Sequence, residues 1–331
     1  MKKKYIIGFP HTPQVHGGPG SFQMRLECQL KDMGWEIVYP ENNVLPDVIL
    51  VVGGTKRLMW LLKCKMKGAK IVHSLDGLNW QHRLMKTPLK EKLLASSRNL
   101  LFKFIRRYLA NEVIYQSQFI KECWHKYSGK ISVTEHIIYN AVDLSKFNPK
   151  IKDKPDLVCV EGTIQPHPAS IQPLIKVSKY LKENNYISRV IICGLIEDSV
   201  RKELQRYEFF EIKGSVNRND IAEILSGNLF MVLELNPPCP NSVIEALAAG
   251  CPVIGFDSGS LKDLVKINTG IISDYGTDPW KMEEPIAENL IRDIMPLVKN
   301  FTHYSMAARK SAEKNFDIIN MTKKYIDVLT K

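Results

Sequence analysis

Short apolar runs alternate with longer amphipathic segments along most of the chain, and this alternation restricts the possible folds more than any other feature. In the first half, the apolar runs predict six strands at residues 5–9, 35–39, 48–52, 70–75, 112–117 and 135–139. The amphipathic segments predict helices over residues 21–33, 55–67, 91–110 and 117–127. This order is typical of a parallel sheet whose strands are joined by crossover helices.

The pattern stops once and then starts again. Residues 143–155 are polar, contain Pro149 and Pro155 and have no clear period, which is typical of a linker. Further strands are then predicted at residues 156–161, 189–193, 210–213, 229–234, 251–256 and 270–273, with helices over 170–184, 197–207, 218–226, 241–249 and 260–266. The residues from 280 onward look entirely helical.

With 331 residues, the chain is long enough for two domains with separate cores. We therefore predict an α/β fold with two Rossmann-like, doubly wound domains, residues 1–150 and 151–315. Two such domains facing each other would place a ligand in the cleft between them, at the carboxyl ends of both sheets.

The net charge of +11 is concentrated in one segment. Residues 56–107, called the basic block below, contain 14 Lys and Arg but only two acids, Asp76 and Glu91, so the remainder of the chain is close to neutral. Large apolar residues lie among these cations, notably at 59–62, 84–85 and 100–109. This combination is typical of an interface with anionic lipid. A solvated basic face over an ordinary core is the alternative, and nucleic-acid binding is a third, although no nucleic-acid motif accompanies the charge.

The cysteines and the hydropathy favour a reducing compartment and a chain without membrane spans. The seven cysteines form no CxxC pair and no metal-binding spacing, which is typical of reduced thiols in a cytosolic protein. The apolar run before Pro10 is too short for a signal peptide, and no stretch approaches the roughly 20 apolar residues of a membrane span. His11 and His16 share one loop, but no third ligand accompanies them, so no metal site is predicted.

The first candidate binding segment runs from His16 to Ser21 and has the sequence HGGPGS. Glycines before a helix allow backbone N–H groups to approach a phosphate, and the helix dipole adds partial positive charge. The segment is not a dinucleotide fingerprint, since Gln23 replaces the third glycine and about eight residues separate it from the preceding strand. A phosphate- or sugar-contacting loop and a plain turn both remain open.

The second candidate segment spans residues 237–254, PPCPNSVIEALAAGCPVI. A strand is followed by a proline-rich loop and then by a helix that starts at Asn241 or Ser242. The free N–H groups of Asn241, Ser242 and Val243 would point out of the helix start, as binding to a phosphate requires. Glu245 lies one turn further along. A well-capped helix with an acid favoured by the dipole is the alternative.

These residues resemble a known family. The stretch NSVIEALAAGCPVIGFDSGSLKDLV, which starts at Asn241, is similar to the donor-binding segment of glycosyltransferase family 4, retaining enzymes with the GT-B fold. Gly17 and Gly18 stand where that family has its glycine loop. Residues 113–117 and 137–149 resemble the strands that close its first domain, and residues 316–331 resemble the helix that crosses back to that domain.

The resemblance implies a role for each matching position. Glu245 should hydrogen-bond the donor ribose. The N–H groups of Ser242 and Val243, at the helix start with Asn241, should bind the donor diphosphate, with Gly17 and Gly18 opposite. No metal and no cofactor are expected, because helix ends and basic side chains neutralise the diphosphate in this fold.

The sequence departs from the family at several positions. A second glutamate usually stands eight positions before Glu245, where this chain has Pro237. The loop at residues 162–167 lacks the usual Arg and Lys, so Lys213 or Arg218 is a candidate substitute. Asp76 stands where the family often has a catalytic-side histidine, and it could either contact donor or acceptor hydroxyls or only cap a turn. His73, three residues earlier, is a second catalytic candidate, and the alternative is a histidine that only serves the strand.

Together, these residues predict a retaining glycosyltransferase that moves a sugar from a nucleotide sugar to a glycan or lipid-linked acceptor in cell-surface polysaccharide or glycoconjugate synthesis. The predicted location is the cytoplasm, where the basic block would contact the inner face of the membrane peripherally. No nucleic-acid partner is predicted. The alternatives are a sugar-nucleotide epimerase of the same fold and a non-catalytic nucleotide-binding scaffold.

Overall fold

The computed structural model describes residues 5–14, 18–85, 88–164 and 167–331. The chain forms two compact units. The first unit comprises Met1–Asn140 together with Ile318–Lys331, and the second comprises Ala141–Asp317. The first unit thus ends ten residues before the boundary expected at 150. The polar stretch expected as a linker lies within the second unit, where Leu144–Lys146 form a short 3-10 helix.

The first unit is built on a sheet of six parallel strands in the order β2-β1-β3-β4-β5-β6. The strands are β1 (Ile6–Gly8), β2 (Glu36–Val38), β3 (Val48–Val52), β4 (Lys70–Leu75), β5 (Glu112–Tyr115) and β6 (Thr134–Ile137). All five residues of β3 are buried, as expected for an interior strand that is covered on both faces.

The helices between these strands are α1 (Gly18–Asp32), α2 (Leu58–Met66), α3 (Leu89–Phe104) and α4 (Gln118–Ser128). A π-helical turn, Ile105–Leu109, continues α3 toward β5. Helix α4 shows how the sequence sets a helix start. The side chain of Ser117 accepts a hydrogen bond from the backbone N–H of Ile120 at 3.2 Å, which satisfies one of the free donors of the first turn.

The second unit repeats this architecture with a sheet in the order β12-β11-β10-β7-β8-β9, again entirely parallel. Its strands are β7 (Leu157–Ile164), β8 (Val190–Ile196), β9 (Phe210–Gly214), β10 (Leu229–Met231), β11 (Val253–Phe256) and β12 (Gly270–Ser273). Its helices are α5 (Pro168–Glu183), α6 (Asp198–Leu204), α7 (Arg218–Leu225), α8 (Asn241–Ala248), α9 (Leu261–Leu264), α10 (Ala287–Asp293), α11 (Met295–Lys299) and α12 (Phe301–Asn315).

The last helix, α13 (Ile318–Thr330), belongs to the first unit. Its buried residues include Ile318, Met321, Tyr325 and Val328, a spacing that places them on one helix face. The Tyr325 hydroxyl lies 3.0 Å from the hydroxyl of Ser74 in β4, and Lys70 donates to the carbonyl of Val328 at 2.7 Å. The chain therefore leaves the first unit and returns to it at its end.

This architecture confirms the predicted fold class. All twelve predicted strands are present, and the predicted ends of β3, β4 and β12 agree with the structure at both residues. The largest differences are at three carboxyl ends: β7 and β8 extend three residues beyond the predictions, to Ile164 and Ile196, and β10 stops three residues short of its predicted end, at Met231.

Candidate functional site

Helix α8 begins at the carboxyl edge of the second sheet, after the loop that follows β10. Its N-cap residue is Pro240, and no side-chain hydrogen bond caps the helix. The N–H groups of Asn241, Ser242 and Val243 therefore lack partners from a capping side chain and from the helix itself. Glu245 is partly exposed one turn further on. The geometry is suited to an anion at the helix start.

The other face of α8 is fixed in the core of the unit. Val243, Ile244 and Leu247 are completely buried, and the helix ends at Gly250, whose φ of +68° is a conformation that favours glycine. Ser305 of α12 donates to the Gly250 carbonyl at 2.6 Å. Arg309 of α12 donates to the carbonyls of Ala248 at 2.7 Å and Phe147 at 2.9 Å. The partly exposed start of α8 thus belongs to a helix whose other face and carboxyl end are fixed by packing and hydrogen bonds.

The proline-rich loop before α8 is fixed by a close backbone contact. Gly259 has a φ of +61°, and a Cβ atom at this position would lie 2.4 Å from the backbone nitrogen of Pro237. The N–H of Ser260 also donates to the Pro237 carbonyl at 2.9 Å. Pro237, which stands where the resembled family has a glutamate, therefore supports the shape of the loop.

Two glutamates that the sequence analysis did not select come together at the same sheet edge. Glu161 lies near the carboxyl end of β7, and Glu234 follows β10, the neighbouring strand. The N–H of Leu233 approaches Glu161 Oε1 at 3.4 Å. Burial first, and repulsion by the Glu234 carboxylate second, raise the pKa of Glu161 well above its usual range.

A sequence signal for this pair did exist. Both glutamates end predicted strands, at residues 156–161 and 229–234, and the carboxyl ends of parallel strands meet at one edge of a sheet. What the sequence could not show is that β7 and β10 are neighbours in the sheet, since more than 60 residues separate them.

The structure does not bring Lys213 together with the start of α8. Lys213 lies on β9, at the edge of the sheet and three strands away from β10, roughly 14 Å at the usual strand spacing. Its ammonium pairs with Glu211 at 2.7 Å. It lines a cavity of about 400 Å³ together with Asp156 and Arg189, which lie beside the amino ends of β7 and β8.

The structure describes only part of the loop at residues 162–167, where the resembled family usually has an Arg and a Lys for the diphosphate. Residues 165 and 166 lie outside the described residues, and Gly162 and Thr163 are exposed at the end of β7. Arg218, the alternative to Lys213, is exposed at the first residue of α7 and already has an interaction partner.

In the first unit, the glycine-rich segment leads into α1, which begins at Gly18. Gly18 is exposed, whereas Gly17 and His16 lie outside the described residues. Gly20 is tightly packed, because a Cβ atom there would lie 2.2 Å from the carbonyl oxygen of Gln14. Close packing therefore explains why position 20 is a glycine, whereas Gly18 lies at the solvent-exposed start of α1.

The two catalytic candidates of the first unit have different environments. Asp76 directly follows β4 and is partly exposed, and burial raises the pKa of its carboxyl group to about 6. A Cβ atom on Gly53, the residue after β3, would lie 3.8 Å from the Asp76 Oδ1 atom. Asp76 therefore lies at the carboxyl edge of the sheet, where it can reach solvent.

His73 is completely buried within β4. Its Nε2 atom lies 2.5 Å from the Gly53 carbonyl oxygen, so Nε2 carries the proton, since a carbonyl oxygen only accepts. Its Nδ1 atom is buried without a partner among the described residues. Burial lowers the pKa of His73 to about 4. This environment favours the structural alternative for His73 over contact with a substrate.

The basic block is not a single surface. The guanidinium of Arg106 is buried and donates to the Tyr115 hydroxyl at 2.7 Å and to the carbonyl of Gly129 at 2.9 Å. Lys70 pairs with Glu112. The exposed cations belong mostly to the segments around α2 and α3.

Groups of metal-binding side chains and membrane-spanning helices are both absent from the described residues. Over residues 5–14, 18–85, 88–164 and 167–331, no three His, Cys, Asp or Glu side chains are grouped so that they could hold a metal ion. None of the helices that the structure describes has both the length and the apolar character needed to cross a bilayer.

Among known proteins, a family profile matches the second unit, whereas solved structures match both units. The family profile described as "Glycosyl transferases group 1" matches residues 142–305, nearly the whole second unit and about half of the chain. A search of curated protein sequences gives no match.

Solved structures resemble both units. Sucrose-phosphate synthase from Thermosynechococcus elongatus has a TM-score of 0.74 at 14% identity, covering 98% of each chain. Anabaena HepE in complex with UDP and glucose has a TM-score of 0.70 at 13% identity, covering 99% of this chain and 100% of its own. A glycosyltransferase from Rickettsia africae has a TM-score of 0.69 at 15% identity, covering 98% of each chain. Residues 142–305 thus form a group 1 glycosyl transferase domain, and the chain as a whole has the GT-B fold of the solved structures that it resembles.

Proposed function

We propose that this protein transfers a sugar from a nucleotide-sugar donor to a glycan or lipid-linked acceptor, with retention at the anomeric carbon. The observation that carries the proposal is the start of α8, which is partly exposed, has no capping side chain and lies at the carboxyl edge of a sheet inside the matched glycosyl transferase domain. Ligands of doubly wound folds bind at this edge. The process served is the synthesis of a cell-surface polysaccharide or glycoconjugate.

The donor is proposed to bind the second unit through its diphosphate. The N–H groups of Ser242 and Val243 would donate to phosphate oxygens, and the dipole of α8 would favour their charge. Glu245, one turn along, would accept hydrogen bonds from the ribose hydroxyls. UDP-glucose is the donor to test first, because the HepE structures hold UDP with glucose and UDP-glucose.

The chemical step would depend on the leaving group. As the bond from the anomeric carbon to the diphosphate oxygen breaks, negative charge grows on the diphosphate, and the N–H groups at the start of α8 would stabilise that charge. The departing phosphate oxygen would take the proton of the acceptor hydroxyl, and the acceptor oxygen would bond to the anomeric carbon on the face that the phosphate leaves. Asp76 is the proposed contact for donor or acceptor hydroxyls in the first unit. No metal is proposed to take part.

The proposed location is the cytoplasm, at the inner face of a membrane, where lipid-linked acceptors would be accessible. The exposed cations of the basic block support this placement, because a cytoplasmic leaflet carries anionic lipid.

Donor binding is tested by a thermal-shift and calorimetry panel with UDP, GDP, ADP and CMP and with the corresponding sugar nucleotides. A ligand at 100 times its Kd should stabilise the protein by about 2.7 kcal/mol. Glu245→Ala should weaken binding about 10- to 100-fold, because hydrogen bonds to a charged group are lost. Glu183→Ala, an exposed glutamate on α5, is the matched control. Unchanged affinity in Glu245→Ala would refute the ribose assignment.

Turnover separates the proposal from its alternatives. A transferase consumes the donor when an acceptor is added, an epimerase changes the sugar of the free donor, and a scaffold binds the nucleotide without turnover. The proton coupling of the product's anomeric carbon, measured by NMR, reports retention or inversion. An inverted product would refute the proposed stereochemistry.

A further inference from the structure

Helix α3 is unusual because large apolar side chains are exposed on its surface, where polar side chains are usual. Of its 16 residues, only Asn99 is buried. Leu89, Leu93, Leu100 and Phe104 are 72%, 63%, 59% and 40% exposed. Their spacings of four, seven and four residues place all four on one face of the helix. This face is called the α3 stripe, and no residue that the structure describes covers it.

Helix α2 has a second stripe of the same kind. Met59, Leu62 and Met66 are exposed and follow each other at spacings of three and four residues. The opposite face of α2, with Leu61 and Cys64, is buried in the core. The exposed face is called the α2 stripe.

The two helices are anchored in the same core. Leu61 of α2 shares a cluster with Ile105 and Leu109, which directly follow α3, and Leu101 of α3 packs against that cluster. The Lys65 ammonium donates to the Leu109 carbonyl at 2.5 Å. The two stripes therefore belong to one packed part of the first unit.

Exposed apolar residues are concentrated in this region. Of the 21 large apolar side chains exposed in the described parts of the chain, ten lie between Met59 and Tyr108. A soluble surface rarely groups apolar residues in this way unless something covers them.

Cations accompany both stripes. Lys63 and Lys67 are exposed on or beside α2, Lys90 and Arg98 on α3, and Arg107 just after it. Across residues 5–14, 18–85, 88–164 and 167–331, no carboxylate forms an ion pair with any of these five. Their charge is therefore available to a partner, and that partner must be both anionic and able to accept apolar side chains.

We propose that the α2 and α3 stripes form one docking surface for an anionic lipid bilayer. The leucines, methionines and Phe104 would enter the boundary between headgroups and acyl chains, while the lysine and arginine side chains would bind the phosphates. A polyanion without a hydrocarbon layer would pair with the cations but would leave the apolar side chains exposed. This inference rests on the part of the proposed function that places the enzyme at a membrane, and it does not depend on the transfer reaction.

The test is co-sedimentation of the full chain with vesicles of phosphatidylcholine, alone or mixed with phosphatidylglycerol, without any donor. Binding is expected to the mixed vesicles at low salt and to weaken as salt is added. The charge variant Lys63→Gln/Lys90→Gln/Arg98→Gln should lower the partition coefficient about fivefold for each charge removed, which corresponds to about 1 kcal/mol each. The apolar variant Leu93→Ser/Leu100→Ser/Phe104→Ser should lower it at least ~10-fold.

Matched controls carry the same changes elsewhere. Met306→Ser/Ile267→Ser removes exposed apolar side chains of the second unit, and Lys299→Gln/Lys310→Gln/Lys314→Gln removes exposed cations there. Both controls should bind like the wild type. All replaced side chains of the tested variants are at least 40% exposed or lie at exposed positions, and circular dichroism would check that each variant is folded.

Several results would overturn the proposal. One is the absence of binding to mixed vesicles at low salt. Another is equal loss of binding in the control variants. Unchanged binding of the apolar variant, together with equally tight binding of the wild type to DNA, would identify a general polyanion site. A concentration-dependent dimer that the apolar variant abolishes would identify an interface between copies. None of these results affects the donor-binding test, so failures of the two proposals are distinguishable.

Discussion

The Nε2 atom of His73 lies 2.5 Å from the carbonyl oxygen of Gly53, and this hydrogen bond ties the interior of β4 to the residue that follows β3. Gly53 has a φ of +65°, and a Cβ atom built on it would lie 3.8 Å from the Asp76 Oδ1 atom. One glycine thus stands between a buried histidine and the partly exposed acid that we propose for catalysis. The arrangement makes His73 a positioning residue for the turn beside Asp76.

His73 should make the stability of the first unit depend on pH. Burial lowers the pKa of His73 to about 4, from 6.5 in the unfolded chain, so the unfolded chain binds more protons between these values. Stability is complete above pH 6.5 and falls, by at most about 3 kcal/mol, as the pH drops to 4. Urea unfolding of wild type and His73→Gln should show this dependence in the wild type only. Parallel curves would contradict the buried neutral histidine.

Asp76 should have the opposite effect on stability. Burial raises its pKa from 3.8 to about 6, so the folded protein binds more protons in this range, and stability declines as the pH rises through it. Asp76→Asn should therefore be about 2 kcal/mol more stable than the wild type at pH 8. The same variant should lose most of its transfer activity, and its donor affinity should fall if the contacted hydroxyl belongs to the donor and stay unchanged if it belongs to the acceptor. A variant of full activity would exclude the proposed role of Asp76.

Glu161 should also reduce stability at alkaline pH. Burial and the neighbouring Glu234 raise its pKa, so protons leave the folded protein at higher pH than they leave the unfolded chain. Stability should fall as the pH rises above the usual glutamate range, and Glu161→Gln should reduce this fall. Unfolding curves between pH 5 and 9 provide the check, with Glu183→Gln as an exposed control. An equal slope in wild type and Glu161→Gln would argue against the pair.

Gly259 should tolerate no side chain. Gly259→Ala would place a Cβ atom 2.4 Å from the Pro237 nitrogen and would also strain the backbone, whose φ is +61°. Gly214 has a similar φ of +68° but no atom within 4 Å of such a Cβ, so Gly214→Ala isolates the backbone strain. We expect about 1 kcal/mol of destabilisation for Gly214→Ala and at least ~3 kcal/mol for Gly259→Ala. Calorimetric unfolding would measure both, and equal losses would contradict the contact with Pro237.

Arg309 should contribute strongly to the second unit. Its guanidinium satisfies the carbonyls of Ala248 and Phe147, which belong to two other parts of that unit. Arg309→Ala leaves these acceptors without their charged donor and should lower the free energy of unfolding by about 2–3 kcal/mol. Lys310→Ala, the exposed neighbour on α12, should have almost no effect. Urea unfolding distinguishes the two, and similar midpoints would show that water replaces the guanidinium.

Local sequence patterns were sufficient to predict most of the fold. The run at β3 is apolar at every position, as an interior parallel strand requires, and the segment at α8 combines a proline-rich start, an apolar face and a terminal glycine. These features depend on neighbours within a few residues. The prediction of the helix at residues 91–110 also succeeded, although the structure divides it between α3 and the π-helical turn.

The site was less predictable because the order of the strands in the sheet decides which of its residues lie close together. Lys213 has the charge expected of a diphosphate ligand, but β9 lies at the sheet edge, away from α8. Glu161 and Glu234 meet because β7 and β10 are neighbours. Sequence spacing contains no information on either arrangement, since the sheet order is decided by packing between distant segments.

The alternation of strands and helices, the helical last segment and the concentration of positive charge follow from the amino-acid sequence, because each depends on residue types along a continuous segment. Which of those charges are available depends instead on tertiary contacts. Arg106 and Lys63 belong to the same basic block, yet Arg106 is buried among hydrogen-bond partners and Lys63 is exposed. Burial and pairing are properties of three-dimensional neighbours, and they separate a structural cation from one that can meet a partner.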